Sequence, residues 1–279
     1  DGKSYSMERR DLLPVIVILA VYAVVAFTNL GSTKDPQSFY TFEGENDSVV
    51  IDLGEQKEIS SIMYYTGLYP GDYDLYYSSN GSNWIRLKDT TAQEDESGEI
   101  NDAAMHQSYA DLFKWQYASI GDTMIKTRYI RIVARVLPME LGELALYDAN
   151  GRLLDVSGVD SVLLDEQNTV PDAPSWYNSM YFDEIYHGRT AYENIKNIYP
   201  YEITHPPLGK LIISLGIRIF GMTPFGYRFM GTFFGVLMLL PLYVLLKNLF
   251  GKTKVAMCGT TLFAFEFMHF TQTRIATID

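Results

Sequence analysis

Long apolar runs alternate with polar stretches along this chain, and the spacing of the two sets its architecture. Residues 12–30 and 229–246 carry no charge, and residues 255–272 carry only Glu266 and His269. Each run has the roughly 17–25 residues needed to cross about 30 Å of hydrocarbon. The pattern predicts transmembrane helices at 12–31, 226–247 and 255–273. Residues 38–157 follow another rule. Ser48–Leu53, Ile59–Tyr65, Tyr73–Tyr77, Trp84–Leu87, Tyr129–Val136 and Leu144–Tyr147 are short β-branched and aromatic runs. Turn-formers such as Ser78-Ser79-Asn80-Gly81 and Asp148-Ala149-Asn150-Gly151 separate them. Many short strands without long helices between them predict an antiparallel sandwich or jelly roll. The acidic stretch Ala92–Asp102 reads as a mobile loop.

The flanking charges orient the spans. Arg9 and Arg10 precede the first, and Lys247, Lys252 and Lys254 lie between the second and third. The positive-inside rule puts both clusters in the cytoplasm and residues 32–225 outside. The first run is longer than a signal-peptide core and no A-x-A site follows it. The expected order is a cytoplasmic start (1–11), the first span (12–31), an extracytoplasmic β-domain with linker (32–170) and an outer loop (171–225). The second span (226–247), a cytoplasmic loop (248–254), the third span (255–273) and the start of the next outer loop (274–279) follow. The fold class is therefore mixed, a polytopic helical membrane fragment with an all-β insert. Ending directly after a span reads as a piece of a longer protein.

Charge narrows the partners. Residues 32–175 hold 25 Asp/Glu against 10 Lys/Arg, a net of −15 where the whole chain has −12. That excludes nucleic acid and an electrostatic grip on anionic headgroups. The single cysteine, Cys258, leaves no intrachain disulfide.

Two polar motifs sit just before the second span. Apolar or aromatic residues at 182, 185, 192, 195 and 199 predict a surface-lying helix, with Asp183 and Glu184 in its first turn. Neighbours on a helix point about 100° apart, so the two carboxylates divide their labour instead of sharing one proton. Downstream stands His205-Pro206-Pro207-Leu208-Gly209-Lys210. Pro207 suits a helix start, and Leu208, Leu211, Ile212, Leu215 and Ile219 form its apolar stripe. Lys210 in the first turn opposes the helix dipole unless an anion binds, which outlines a phosphate site.

Residues Tyr73–Trp84 (YDLYYSSNGSNW), Arg128–Ile132 (RYIRI) and Gly142–Tyr147 (GELALY) resemble the discoidin, or coagulation factor 5/8 C-type, jelly roll. That resemblance implies a carbohydrate or lipid ligand at the loops, or a spacer without one. Asp183-Glu184, the HPPLGK segment, Arg228 before the second span and Arg274-Ile-x-x-x-Asp279 after the third resemble the protein O-mannosyltransferase branch of the GT-C membrane glycosyltransferases.

The second resemblance implies an inverting transfer of mannose from a polyprenyl- or dolichyl-phosphate sugar to an extracytoplasmic protein or glycan hydroxyl. Asp183 would be the general base and Glu184 its partner. His205, Lys210 and Arg228 would face the lipid phosphate, and Arg274 and Asp279 would complete the element. It implies no required cofactor, with a divalent metal at Asp183/Glu184 as the alternative that some GT-C relatives use and mannosyltransferase-like members generally do not. The expected location is a bacterial plasma membrane. The rivals are a membrane-anchored carbohydrate-binding or adhesion protein and a GT-C enzyme acting on a wall polymer or lipid. Glu266 and His269, with Thr273, share a helical face in the third span and are further candidates. His106 and His187 are lone histidines, and His187 reads as an exposed helical residue.

Overall fold

The computed structural model describes residues 7–44, 47–92, 94, 100–121 and 124–278. It divides into two compact units, Lys34–Met180 and a helical unit of Asp1–Thr33 with Tyr181–Asp279.

The first unit is an all-β sandwich of jelly-roll type. One sheet has the order β1 (Tyr40–Phe42), β9 (Met139–Tyr147), β3 (Ser61–Thr66), β7 (Trp115–Tyr117). The other runs β2 (Ser48–Ile59), β8 (Ile125–Ala134), β4 (Gly71–Ser78), β5 (Ile85–Leu87), with β6 (Met105–Gln107) also paired to β4. Every pairing is antiparallel, as for β2 on β8 from Ser48↔Val133 to Ile59↔Ile125. Alternation explains the burial. In β4, Tyr73 and Leu75 point inward and meet Ile130 and Ile132 of β8 in a core closed by Phe42, Tyr64, Met139 and Leu144. All six predicted runs lie in strands, some with shifted ends. The short β1, β6 and β7 carry too few residues to show a period. The acidic stretch Ala92–Asp102 lies largely outside the described residues. Of it, Glu94 and Ile100 form an antiparallel bridge.

In the helical unit, α1 (Arg9–Phe27) and α4 (Pro224–Phe250) are long and apolar enough to cross a membrane. They run antiparallel. At one end Lys247, buried, reaches Asp11 at 3.2 Å, and Tyr243 donates to Asp11 at 3.0 Å. At the other, Arg228 donates to the Leu30 carbonyl at 3.0 Å. The apolar segment 255–273, predicted as one span, is instead two helices, α5 (Thr253–Ala264) and α6 (Phe267–Gln272). The break falls where Glu266 leaves helical geometry and its carboxylate caps α6 by accepting from His269 N at 2.9 Å.

Helix α2 (Glu184–Lys196) forms within the expected stretch, and the apolar positions of that stretch divide: Tyr192 is buried, Ile185 and Ile195 are half-buried and Tyr199 is exposed. Phe182 is exposed, while Glu184, His187, Arg189, Thr190 and Glu193 are buried. Polar pairing inside the unit outweighs the apolar period here. Helix α3 (Pro207–Phe220) starts at Pro207 as expected. Its stripe of Leu208, Leu211, Leu215 and Ile219 is exposed, and the opposite face with Lys210, Ile213 and Ile217 is buried. Gly216 lets α3 approach α4, since a Cβ there would stand 2.3 Å from the Gly226 carbonyl.

Candidate active site

Asp183 is the N-cap of α2, and its backbone carbonyl receives the first helical bonds from Tyr186 and His187. Its side chain is half-buried, does not cap the helix, and has no hydrogen bond or ion pair among the described residues. The residue before it, Phe182, stands at φ +52°, a left-handed backbone that a bulky side chain rarely adopts.

Glu184 is placed quite differently. It is fully buried and meets Arg228 in a two-pronged pair, with Nε to Oε1 at 2.7 Å and Nη2 to Oε2 at 2.6 Å. Backbone N–H groups of Ala276 (2.9 Å) and Tyr181 (2.7 Å) take the remaining directions on the carboxylate. Four donors around one carboxylate leave it no room to reach a substrate, and the neighbours' 100° separation appears as one fixed and one unengaged acid. The same residue ties three stretches together, the start of α2, the start of α4 and residues 274–278.

Arg274 joins this cluster. It donates to the carbonyls of Thr28 (2.8 Å) and Asn29 (3.0 Å), and its buried Nε has no hydrogen-bond partner among the described residues. Burial and the neighbouring Arg228 charge pull its guanidinium below its usual range. Gly209 of the HPPLGK segment packs on Ile278, where a Cβ would come within 2.6 Å. Asp279 lies outside the described residues.

A second cluster surrounds Glu202. Lys210 is 2% exposed, donates to the Glu202 carbonyl at 2.7 Å and pairs with the Glu202 carboxylate. His205 Nδ1 lies 3.1 Å from the other carboxylate oxygen, and the His205 and Thr204 N–H groups donate to it at 3.2 and 2.7 Å. Burial opposes the charge on Glu202, but these partners outweigh it and hold the carboxyl well below the usual range. Tyr201, beside it, lies over the Arg189 guanidinium at 3.5 Å and donates its N–H to Glu193 at 2.7 Å. Burial pushes Glu193 upward against those two partners.

His187 is not exposed, as expected from the sequence, but 2% exposed, with its ring edge-to-face on His205 at 5.2 Å. It sits on the face of α2 that turns toward the loop before α3. Glu202, Glu193 and Arg189 were missed from the sequence; the available signal was an acid three residues before His205. Glu266 and His269 are not brought to Asp183 by any contact. Glu266 caps α6, and His269 stacks on Tyr22 at 5.3 Å.

Among the described residues, two groups could hold a metal by donor type. The donor atoms of His187, Glu202 and His205 lie within 4.8 Å of one another, as do those of Glu143, Asp165 and Glu166 in the sandwich. In the latter, Glu143 is buried and its Oε2 has no hydrogen-bond partner among the described residues. Burial lifts its carboxyl to about 7, with Asp165 and Glu166 adding to the effect. The sandwich also has an open cleft of about 490 Å³ lined by Thr41, Glu43, Tyr69, Leu137, Pro138 and Glu140.

Comparison with known proteins agrees with both resemblances. Residues 204–279 match the family described as dolichyl-phosphate-mannose-protein mannosyltransferase, and residues 28–136 match the F5/8 type C domain. The polyprenol-phosphate-mannose–protein mannosyltransferase of Mycobacterium tuberculosis is 31% identical over 77 residues, covering 28% of this chain and 15% of that protein. The enzyme of the same name from Corynebacterium glutamicum is 40% identical over 53 residues, covering 19% and 10%. The chain thus spans less than a fifth of the length of these relatives. Among solved structures, CpGH89CBM32-6 produced by Clostridium perfringens is similar at 18% identity and TM-score 0.31, covering 44% of this chain and 84% of that one. The CBM32 of AlyQ, solved with 4,5-unsaturated mannuronic acid, gives 14%, 0.29, 40% and 78%. Asp183 and Glu184 precede the mannosyltransferase match, whereas His205, Lys210, Arg228 and Arg274 fall inside it. The chain is thus similar to the F5/8 type C domain over residues 28–136 and to the dolichyl-phosphate-mannose-protein mannosyltransferase family over residues 204–279.

Proposed function

We propose that the chain is part of a membrane glycosyltransferase that moves mannose, or a similar hexose, from a polyprenyl-phosphate sugar to an extracytoplasmic hydroxyl. The family match gives the reaction class. The observation that carries the assignment of roles is the contrast between the adjacent acids, Asp183 unengaged and Glu184 held by four donors.

In this reading Asp183 accepts the proton of the acceptor hydroxyl as its oxygen attacks the anomeric carbon. The C–O bond to phosphate breaks, the lipid phosphate leaves with the electron pair, and the anomeric centre inverts. One base suffices, and no enzyme nucleophile is needed. Glu184 serves as the strut that holds the α2 start against Arg228 and residues 274–278. Arg274, whose Nε is unpartnered among the described residues, supplies positive charge for the departing phosphate. Lys210 and His205 are engaged with Glu202, so they contribute after the phosphate displaces that carboxylate. The catalytic loop lies outside the cytoplasm in this reading.

The F5/8 type C domain favours a companion role for the sandwich as the reader of a carbohydrate. Its open cleft combines two carboxylates with Tyr69, a set that accepts from sugar hydroxyls and offers a ring face.

The test uses the full-length gene product in proteoliposomes with radiolabelled polyprenyl-phosphate mannose and extracytoplasmic extract. Label moving into a protein or glycan fraction supports the transferase. An intact donor and no label in any fraction overturns the mannose assignment.

A further inference from the structure

We propose that His187, Glu202 and His205 form a binding site for a divalent transition-metal ion of the zinc class. The site would bridge α2 to the loop that begins the HPPLGK segment.

The three donors come from two separate stretches. His187 lies on the buried face of α2, one turn beyond Asp183, while Glu202 and His205 lie on the loop before α3. Folding nevertheless brings one donor atom from each to within 4.8 Å of the others. In a tetrahedral zinc site, bonds of about 2.0–2.2 Å place donors about 3.3 Å apart. Binding would require the three side chains to turn toward one another to close that gap. Two imidazoles and one carboxylate select zinc and its neighbours over magnesium or calcium, which prefer all-oxygen sets.

The surroundings fit a site with outer partners. Glu202 is gripped by Lys210 on one carboxylate oxygen and by the Thr204 and His205 N–H groups and the Thr204 hydroxyl on the other, so an ion would bind by displacing one of these donors. Partners of that kind orient a ligating carboxylate. Lys210 also places a positive charge next to the ion, which lowers affinity relative to a site with a free carboxylate. Three protein donors leave a fourth position for water or an anionic oxygen. The ion would fix the loop carrying His205 and Lys210 against the helix that carries Asp183. This proposal concerns binding and stands whether or not the transfer reaction is as proposed.

The test is a metal count on full-length protein purified with a histidine-free tag. The protein is stripped with chelator, exposed to zinc chloride, desalted and analysed by plasma mass spectrometry. The same protein loaded with Co²⁺ is read by its ligand-field absorption. The expected result is about one ion per chain, with a Co²⁺ spectrum of mixed nitrogen and oxygen donors. His187→Ala, His205→Ala and Glu202→Gln should each weaken binding at least about 100-fold, while His106→Ala, in the sandwich, leaves it unchanged. His205 is exposed, so its variant decides the matter if His187→Ala does not yield a monodisperse protein. No ion in the wild type overturns the proposal. An ion retained in His205→Ala, or lost equally in His106→Ala, does so as well.

Discussion

The two units handle charge in opposite ways. In the sandwich, Asp74 and Asp102 meet Arg86 and Arg135 at partly exposed positions, outside a core of apolar and aromatic side chains. In the helical unit, the pairs Glu184–Arg228, Glu202–Lys210 and Arg189–Glu193 are almost entirely removed from water. Taking two charges out of water costs several kcal/mol per ion, and their attraction seldom returns more than that. An apolar core would hold α2 to α4 at least as well. The chain carries this cost beside Asp183, where electrostatics would be needed for chemistry, and keeps the ion pairs of the sandwich at its partly exposed surface.

Breaking the buried pair should give the largest effect. Glu184→Gln leaves Arg228 buried without its counter-charge and should lower stability by about 3–5 kcal/mol. Thermal melts followed by size-exclusion fluorescence would measure it. The double change Glu184→Leu with Arg228→Met should recover only part of that loss, since the Ala276 and Tyr181 N–H groups lose their acceptor.

The sandwich has a buried acid too, and its pH dependence sharpens the contrast. Glu143 is held at about 7, above the usual 4.5, so the folded state binds the proton more tightly. Its stabilising contribution is present below pH 4.5 and lost as pH rises through 7. Glu143→Gln should therefore stabilise the sandwich above pH 7, by at most about 3 kcal/mol, and make no difference near pH 4. Trp84, Trp115 and Trp176 all lie in this unit, so tryptophan fluorescence reports its unfolding.

Two smaller effects follow. Gly216→Ala forces α3 away from the Gly226 carbonyl and should cost about 1–3 kcal/mol in the helical unit. Asp102 is held well below its usual range by Lys88, Arg86 and Arg135, so its contribution is present above the unfolded carboxyl range and lost as pH falls. At this partly exposed position Asp102→Asn should cost less than about 1 kcal/mol at pH 7, again by tryptophan fluorescence.

The sandwich was largely legible because a period of two runs through parts of β2, β4 and β8, while β3 and β9 read as short apolar runs. Tyr73 and Leu75 announce their own burial. The helical unit was legible where apolar runs are long, as in α1 and α4, and where Pro207 starts a helix. It was not legible where partners lie far apart in sequence. Nothing near Glu184 points to Arg228, and nothing near His187 points to His205. Periodicity predicts α2 as a surface-lying helix, but it cannot register the ion pairs that helix makes across the fold. The break at Glu266 was missed for a related reason, since one capping carboxylate divides a run that hydropathy treats as continuous.

The most direct test of the division between the two acids is a comparison of Asp183→Asn with Glu184→Gln in the full-length protein, measuring kcat and thermal midpoint on the same samples. Asp183→Asn should lose about 10²–10⁴-fold in kcat with an unchanged midpoint, as expected for removal of a general base. Glu184→Gln should lower the midpoint and lose activity through it. A wild-type kcat in Asp183→Asn, or a Glu184→Gln protein of unchanged stability and no activity, would contradict the assignment of base to Asp183 and strut to Glu184.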